Sequence, residues 1–152
     1  MTMPKPVKVD VGGKTICYWE AGTGPAVILL HGIGSAGEAW DGQLVYLGQW
    51  YRAIAWDAPG YGGSDPLDPD TPATADYADA LAGMMDAAGI PAAHLVGNSL
   101  GSLMIGAFVK RYPERVLSMV LSDVAAGHGR LSADDRETRL RALLSACGFA
   151  GI

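Results

Sequence analysis

The sequence is short of several things, and each shortage removes a class of protein. Its 152 residues hold two cysteines, Cys17 and Cys147. Neither lies in a Cys-x-x-Cys spacing or beside a histidine, so neither a disulfide framework nor a metal site is expected, and reduced thiols in the cytoplasm are the plain reading. No run approaches the roughly 20 apolar residues of a membrane-spanning helix. The start, MTMPKPVKVDV, carries Lys5 and Lys8 but no apolar stretch behind them, so no export leader is expected there. Basic charge is scarce as well: 11 lysines and arginines stand against 16 acidic residues, a net charge of −5. With no concentrated basic face, nucleic acid is not an expected partner. There is no internal repeat, low-complexity segment or linker-like stretch inside the chain.

What is present is the balance of one globular domain, 49% apolar and 18% charged. A chain of this length can bury roughly 70% of the surface its unfolded form exposes. VKVDV and KTICYWE flank Gly12 and Gly13, which predicts a β-hairpin with a glycine turn. AVILL (26–30), YRAIAW (51–56), HLVG (94–97) and VLSMVLSDV (116–124) are apolar runs without clean alternation, as expected of parallel strands covered on both faces. Between them run helical patterns, and the alternation predicts an α/β fold with a mostly parallel sheet.

The clearest helix spans Thr74 to Ala88, with Tyr77, Ala78, Leu81, Met84, Met85 and Ala88 on one face, Thr74 as its expected cap and Gly89 as its end. A second, from Leu100 to Tyr112, is apolar nearly all round and stops at Pro113, so it should lie buried against the sheet. A third is expected from about 133 to 147, opened by Ser132 and Asp135 at capping-box spacing and carrying a stripe of Leu140, Leu143, Leu144 and Cys147.

Two glycine-rich loops then compete for the function. In HGIGSAGEAW, Gly32, Gly34 and Gly37 satisfy G-x-G-x-x-G, and Asp57 lies where a dinucleotide fold places a carboxylate for the ribose. That rival reading predicts NAD at a helix N-terminus. The second loop, AAHLVGNSLGS (92–102), fits a nucleophile elbow: a strand, a sharp turn bearing Ser99 between Gly97 and Gly101, then an apolar helix. The small neighbours two residues away let strand and helix approach.

HGIG (31–34), DAPGYGGSD (57–65) and GNSLG (97–101) stand in order, each after a strand, and on these three motifs the chain resembles the first half of an α/β-hydrolase-fold serine hydrolase. The wording of the first two is similar to that of enol-lactonase and carbon–carbon-bond hydrolase relatives. The resemblance covers residues from about 15 to about 125 and implies Ser99 as nucleophile. Backbone N–H groups of Leu100 and Ile33 would form the oxyanion hole, with Gly34 as the alternative to Ile33. It also implies that His31 holds its loop and that DAPGYGGSD is a shaped connection, its glycines taking positive φ and Asp57 bonding nearby backbone.

A serine hydroxyl needs a histidine base oriented by a carboxylate, and in this fold the order is serine, acid, histidine. His31 precedes the elbow, and His94 stands roughly 16 Å from Ser99 by strand rise. Asp123 and His128 remain as candidates for acid and base, neither committed. In the resembling fold the strand at 116–122 is interior, so the sheet is expected to stop before its last strands. An open apolar edge of that kind predicts self-association, a partner or aggregation. The expected organisation is residues 1–124 as the N-terminal part of the core and 125–152 as the start of a cap or connecting helix. The expected chemistry is hydrolysis of a small-molecule ester, lactone or related acyl bond, with no metal or organic cofactor. The alternatives are an NAD-binding module and a non-catalytic hydrolase remnant.

Overall fold

The structure, a computed structural model, describes residues 4–68 and 71–124 together with Ser132, Asp134, Asp135 and Thr138. Two positive-φ glycines, Gly12 at +63° and Gly13 at +84°, turn β1 (Val7–Val11) back onto β2 (Lys14–Ala21). Both central positions of such a two-residue turn need φ above zero, which glycine alone adopts without strain. The register runs from Val7 opposite Tyr18 to Val11 opposite Lys14.

From there the chain winds β3 (Ala26–Leu30), a tight helical turn (Gly37–Trp40), α1 (Asp41–Leu47), β4 (Arg52–Trp56), α2 (Thr74–Ala87), β5 (Ala93–Asn98), α3 (Leu100–Arg111) and β6 (Val116–Ser122). The six strands form one sheet in the order β1-β2-β4-β3-β5-β6. β1 pairs antiparallel with β2 and β2 antiparallel with β4, whereas β4, β3, β5 and β6 pair parallel with one another in that order. This is the mostly parallel α/β sheet that the apolar runs predict, of the α/β-hydrolase type that the resemblance implies.

The unbroken apolar texture of AVILL has a simple cause. Every residue of β3 is buried, yet alternate residues serve different cores. Ile28 and Leu30 join the cluster under α2 and α3, and Val27 and Leu29 join the one under α1 with Leu44. Each such side chain, fully removed from water, contributes about 1.5–3 kcal/mol. The predicted face of α2 is the one that packs: Ala78, Leu81, Met84 and Met85 are buried, with Tyr77 and Ala88 at its margin.

Three boundaries differ from the sequence reading. Thr74 is the first residue of α2, not its cap; Ala73 holds that position, and the Asp76 carboxylate accepts the Ala73 N–H at 2.7 Å. A carboxylate three residues in can close the end from inside when the cap position has no side-chain acceptor. The third strand of the parallel set spans Ala93–Asn98, one residue more at each end than HLVG. The helix after Ser99 ends at Arg111, with Tyr112 as its cap. At the far end of α2, Gly89 takes φ +68° as expected of a terminating glycine, and the Ile90 N–H reaches back to the Met85 carbonyl.

β6 is an edge strand among the described residues, paired only with β5. Its apolar side chains stand in the open, with Leu117 55% and Val120 57% exposed. Leu121 is 38% exposed. Beyond it, the Asp135 N–H donates to Ser132 Oγ at 3.1 Å, the contact a capping box requires. The rest of the expected third helix, its stripe from Leu140 to Cys147, and His128 lie outside the described residues.

Candidate active site

Ser99 stands at the one-residue bend between β5 and α3, with φ 51° and ψ −111°. A non-glycine residue with positive φ and this ψ is in a sparsely populated conformation that costs of the order of 1–3 kcal/mol and survives only where its surroundings hold it. Here they do. The Ser99 N–H donates to the Ser122 carbonyl at 2.9 Å, and its own carbonyl accepts the Ser102 N–H at 3.0 Å. Ser102 Oγ lies within hydrogen-bond distance of the Gly97 carbonyl at 2.9 Å and the Ser122 carbonyl at 3.1 Å.

The glycines around this bend are there for room. A Cβ at Gly97 would stand 2.7 Å from the Gly101 carbonyl carbon and from Ile105, and one at Gly101 would stand 2.2 Å from the Leu30 carbonyl oxygen. Strand, turn and helix therefore approach at backbone contact, as the elbow reading requires. A Cβ on Gly32 would come within 3.3 Å of Ser99 Cβ and 3.9 Å of its Oγ. The HGIG loop thus lies against the serine, leaving it half-buried. A hollow of 160 Å³ opens beside it, lined by His31, Gly32, Ser35, Trp40, Gln43 and Asn98 among others.

Of the two sequence-predicted donors, Leu100 directly follows Ser99, and Ile33 directly follows Gly32, the residue that lies against the serine. Leu100 is the first residue of α3, where backbone N–H groups have no intrahelical acceptor and the helix dipole favours negative charge. Ile33 follows Gly32 in the loop between β3 and the tight turn, ahead of Gly34, whose φ is +73°.

His31 is committed on both sides of its ring. Its Nε2 accepts the Ala58 N–H at 3.0 Å, so its Nδ1 carries the proton and donates to the Gly32 carbonyl at 2.8 Å. It is buried and edge-packed on Tyr61. Burial pushes its pKa below the ordinary histidine value, partly opposed by the Gly32 hydrogen bond and the Asp57 charge. A histidine whose folded pKa is depressed binds fewer protons than in the unfolded chain. Its share of stability is therefore complete above the ordinary pKa of about 6.5 and is lost as pH falls below it. Unfolding free energy is expected to fall between pH 7 and pH 5, by at most about 1.4 kcal/mol per pH unit from this group, with a matching fall in melting temperature, and His31→Gln is expected to flatten that slope. An equal slope in the variant would assign the effect elsewhere.

Asp57, just past β4 and buried, accepts the Gly37 N–H on Oδ1 and the Gly63 N–H on Oδ2, each at 2.8 Å. In the dinucleotide reading this carboxylate would face a ribose; here both oxygens are occupied by backbone. Gly60 and Gly62 take φ of +82° and +52°, as expected of the DAPGYGGSD connection. His94 lies at the other end of β5, its Nδ1 2.7 Å from Ser118 Oγ. Asp123 has φ 49° and is exposed, immediately after the residue whose carbonyl holds Ser99. Sequence reasoning missed Ser102, because its role depends on a β6 carbonyl brought alongside by the sheet.

Comparison with known proteins agrees with this geometry. A sequence model described as "alpha/beta hydrolase fold" matches residues 25–140. The chain is 41% identical over 116 residues to a 2-hydroxy-6-oxo-6-phenylhexa-2,4-dienoate hydrolase of Comamonas testosteroni, covering 74% of this chain and 41% of that protein. It is 34% identical over 136 residues to a 2-(acetamidomethylene)succinate hydrolase of Mesorhizobium japonicum, covering 89% and 48%. A meta-cleavage product hydrolase from Pseudomonas fluorescens IP01 superposes with a TM-score of 0.70 at 34% identity, over 77% of this chain and 43% of that one. The chain spans about two fifths of the length of the curated relatives it matches first.

Proposed function

Since the chain belongs to the α/β-hydrolase fold family, we propose that it carries the nucleophile half of a serine hydrolase acting on ester, lactone or related acyl bonds of small molecules. The observation that carries this is the strained bend at Ser99, held by Ser122 and Ser102 with Gly32 against its hydroxyl. In the proposed reaction Ser99 Oγ attacks an acyl carbon and gives its proton to a base. The oxygen that gains negative charge lies against the Leu100 and Ile33 N–H groups. Collapse expels the leaving group, which takes the proton from the base; the freed base then deprotonates an attacking water, and that proton returns to Ser99 Oγ as the acid departs. Each oxyanion donor is worth roughly 2.7–4 kcal/mol of barrier in such sites.

The base is neither of the two described histidines. His31 has both nitrogens engaged, and His94 is tied to Ser118 at the opposite end of the strand. It is therefore His128 or a histidine of a longer polypeptide, with Asp123 or a later carboxylate to orient it. On this reading residues 1–124 are the N-terminal part of the core and 125–152 begin a cap or connecting helix. The exposed β6 favours self-association of the chain when it stands alone. The same observation on the histidines favours one other reading, a remnant that accepts an acyl group without turning over.

Incubation with a p-nitrophenyl ester followed by peptide mapping separates the outcomes. An acyl group on the peptide bearing Ser99, with steady release of nitrophenol, supports the hydrolase. An acyl group without turnover supports the remnant. Acylation elsewhere, or none, overturns both.

A further inference from the structure

We propose that Asp57 is a positioning residue that holds the Ile33-bearing loop in register with Ser99, an inference that rests on the assignment of that loop to the oxyanion hole. Asp57 is 3% exposed, and no lysine or arginine pairs with its carboxylate among the described residues. Its two oxygens instead join two separate loops: Gly37, at the end of the HGIG segment, and Gly63, in the connection after β4. A carboxylate is the side chain of this size that accepts at both ends; asparagine would turn an N–H toward one of the two donors.

The packing leaves no slack around it. A Cβ on Gly37 would stand 2.7 Å from the Ala55 carbonyl and 3.0 Å from Asp57 Oδ1, while one on Gly62 would stand 2.3 Å from Oδ2. The Cys17 thiol also lies against the carboxylate; burial first, then the Asp57 charge and a hydrogen bond to it, push the thiol's pKa up. The second loop is itself pinned to β2. The Cys17 N–H donates to Ser64 Oγ at 2.8 Å, Ser64 Oγ donates to the Asp57 carbonyl at 2.7 Å, and the Asp65 N–H donates to the Thr15 carbonyl at 2.8 Å. Asp57 is also pinned directly to β2, its own N–H donating to the Cys17 carbonyl at 2.8 Å, so its carboxylate ties the far end of the HGIG loop to the sheet independently of Ser64. His31 braces the near end of the same loop through Gly32 and Ala58.

The test compares Asp57→Asn with Ser64→Ala, which loosens the second loop without touching the first. Three quantities are read in the whole chain: melting temperature, amide exchange of residues 32–37, and the rate of Ser99 modification by a fluorophosphonate. Asp57→Asn is expected to speed exchange in 32–37 and to slow modification at least tenfold at saturating probe, with half-saturation unchanged. Ser64→Ala is expected to lower the melting temperature while modification stays within twofold of the parent. Exchange in 32–37 that is unchanged in Asp57→Asn overturns the proposal. So does a loss of rate in both variants that simply follows their loss of stability. If the parent itself is not modified, the assignment of Ser99 fails, and the exchange comparison alone still decides whether Asp57 holds the loop.

Discussion

Treated with a fluorophosphonate, the parent chain is expected to gain one adduct, while the Ser99→Ala chain stays at its own mass under conditions that label the parent fully. The expected fall in rate is about a thousandfold or more, the scale on which removal of an activated nucleophile is felt. The reason is local. Two other serines near the site are already occupied, Ser102 with the Gly97 and Ser122 carbonyls and Ser64 with the Asp57 carbonyl. Ser99 holds its backbone at φ 51°, and the bend carries its side chain out beside Gly32. Ser118→Ala, at the opposite end of the sheet where Ser118 meets His94, is expected to label like the parent. Persistent labelling of Ser99→Ala would move the nucleophile elsewhere.

A second large effect concerns stability. Gly101→Ala is expected to lower the melting temperature by roughly 10 °C or to yield insoluble protein, because the added methyl would stand 2.2 Å from the Leu30 carbonyl oxygen and 2.7 Å from its carbon. Both obstacles are backbone of β3, the most deeply enclosed strand, so no side chain can swing aside. Overpacking of this kind costs about 1–3 kcal/mol or more, and each kcal/mol is worth roughly 2–4 °C at this chain length. Gly106→Ala on the same helix meets nothing within 4 Å. It is expected to raise stability by about 0.5–1 kcal/mol through the ordinary helix preference for alanine. Thermal melts of the pair check both signs. Equal behaviour of the two variants would mean that α3 does not lie on β3 as described.

The sequence was readable where one residue's neighbours decide its role. The apolar run AVILL and the helix from Thr74 declare themselves because burial on two faces, or on one stripe, leaves a pattern within a few residues. The bend at Ser99 declares itself for the same reason, since Gly97 and Gly101 are needed within two positions of it. The cap of α2 was misread because the carboxylate that closes it, Asp76, lies inside the helix. The double engagement of Asp57 was only half visible: its partners lie 20 residues back and six ahead. Ser102 was invisible because its second acceptor arrives with β6, 20 residues later. The base could not be located from sequence because pairing a histidine with Ser99 is a matter of distance in space.

The carbonyl of Ser122, last residue of the outermost strand, receives hydrogen bonds from both sides of the bend, the Ser99 amide and the Ser102 hydroxyl. The reactive corner is therefore moored to the sheet's outer selvedge, where fraying begins. Whatever seals that border, whether further polypeptide or another molecule, would also steady the attacking oxygen, so assembly and chemical competence are joined through a single peptide group.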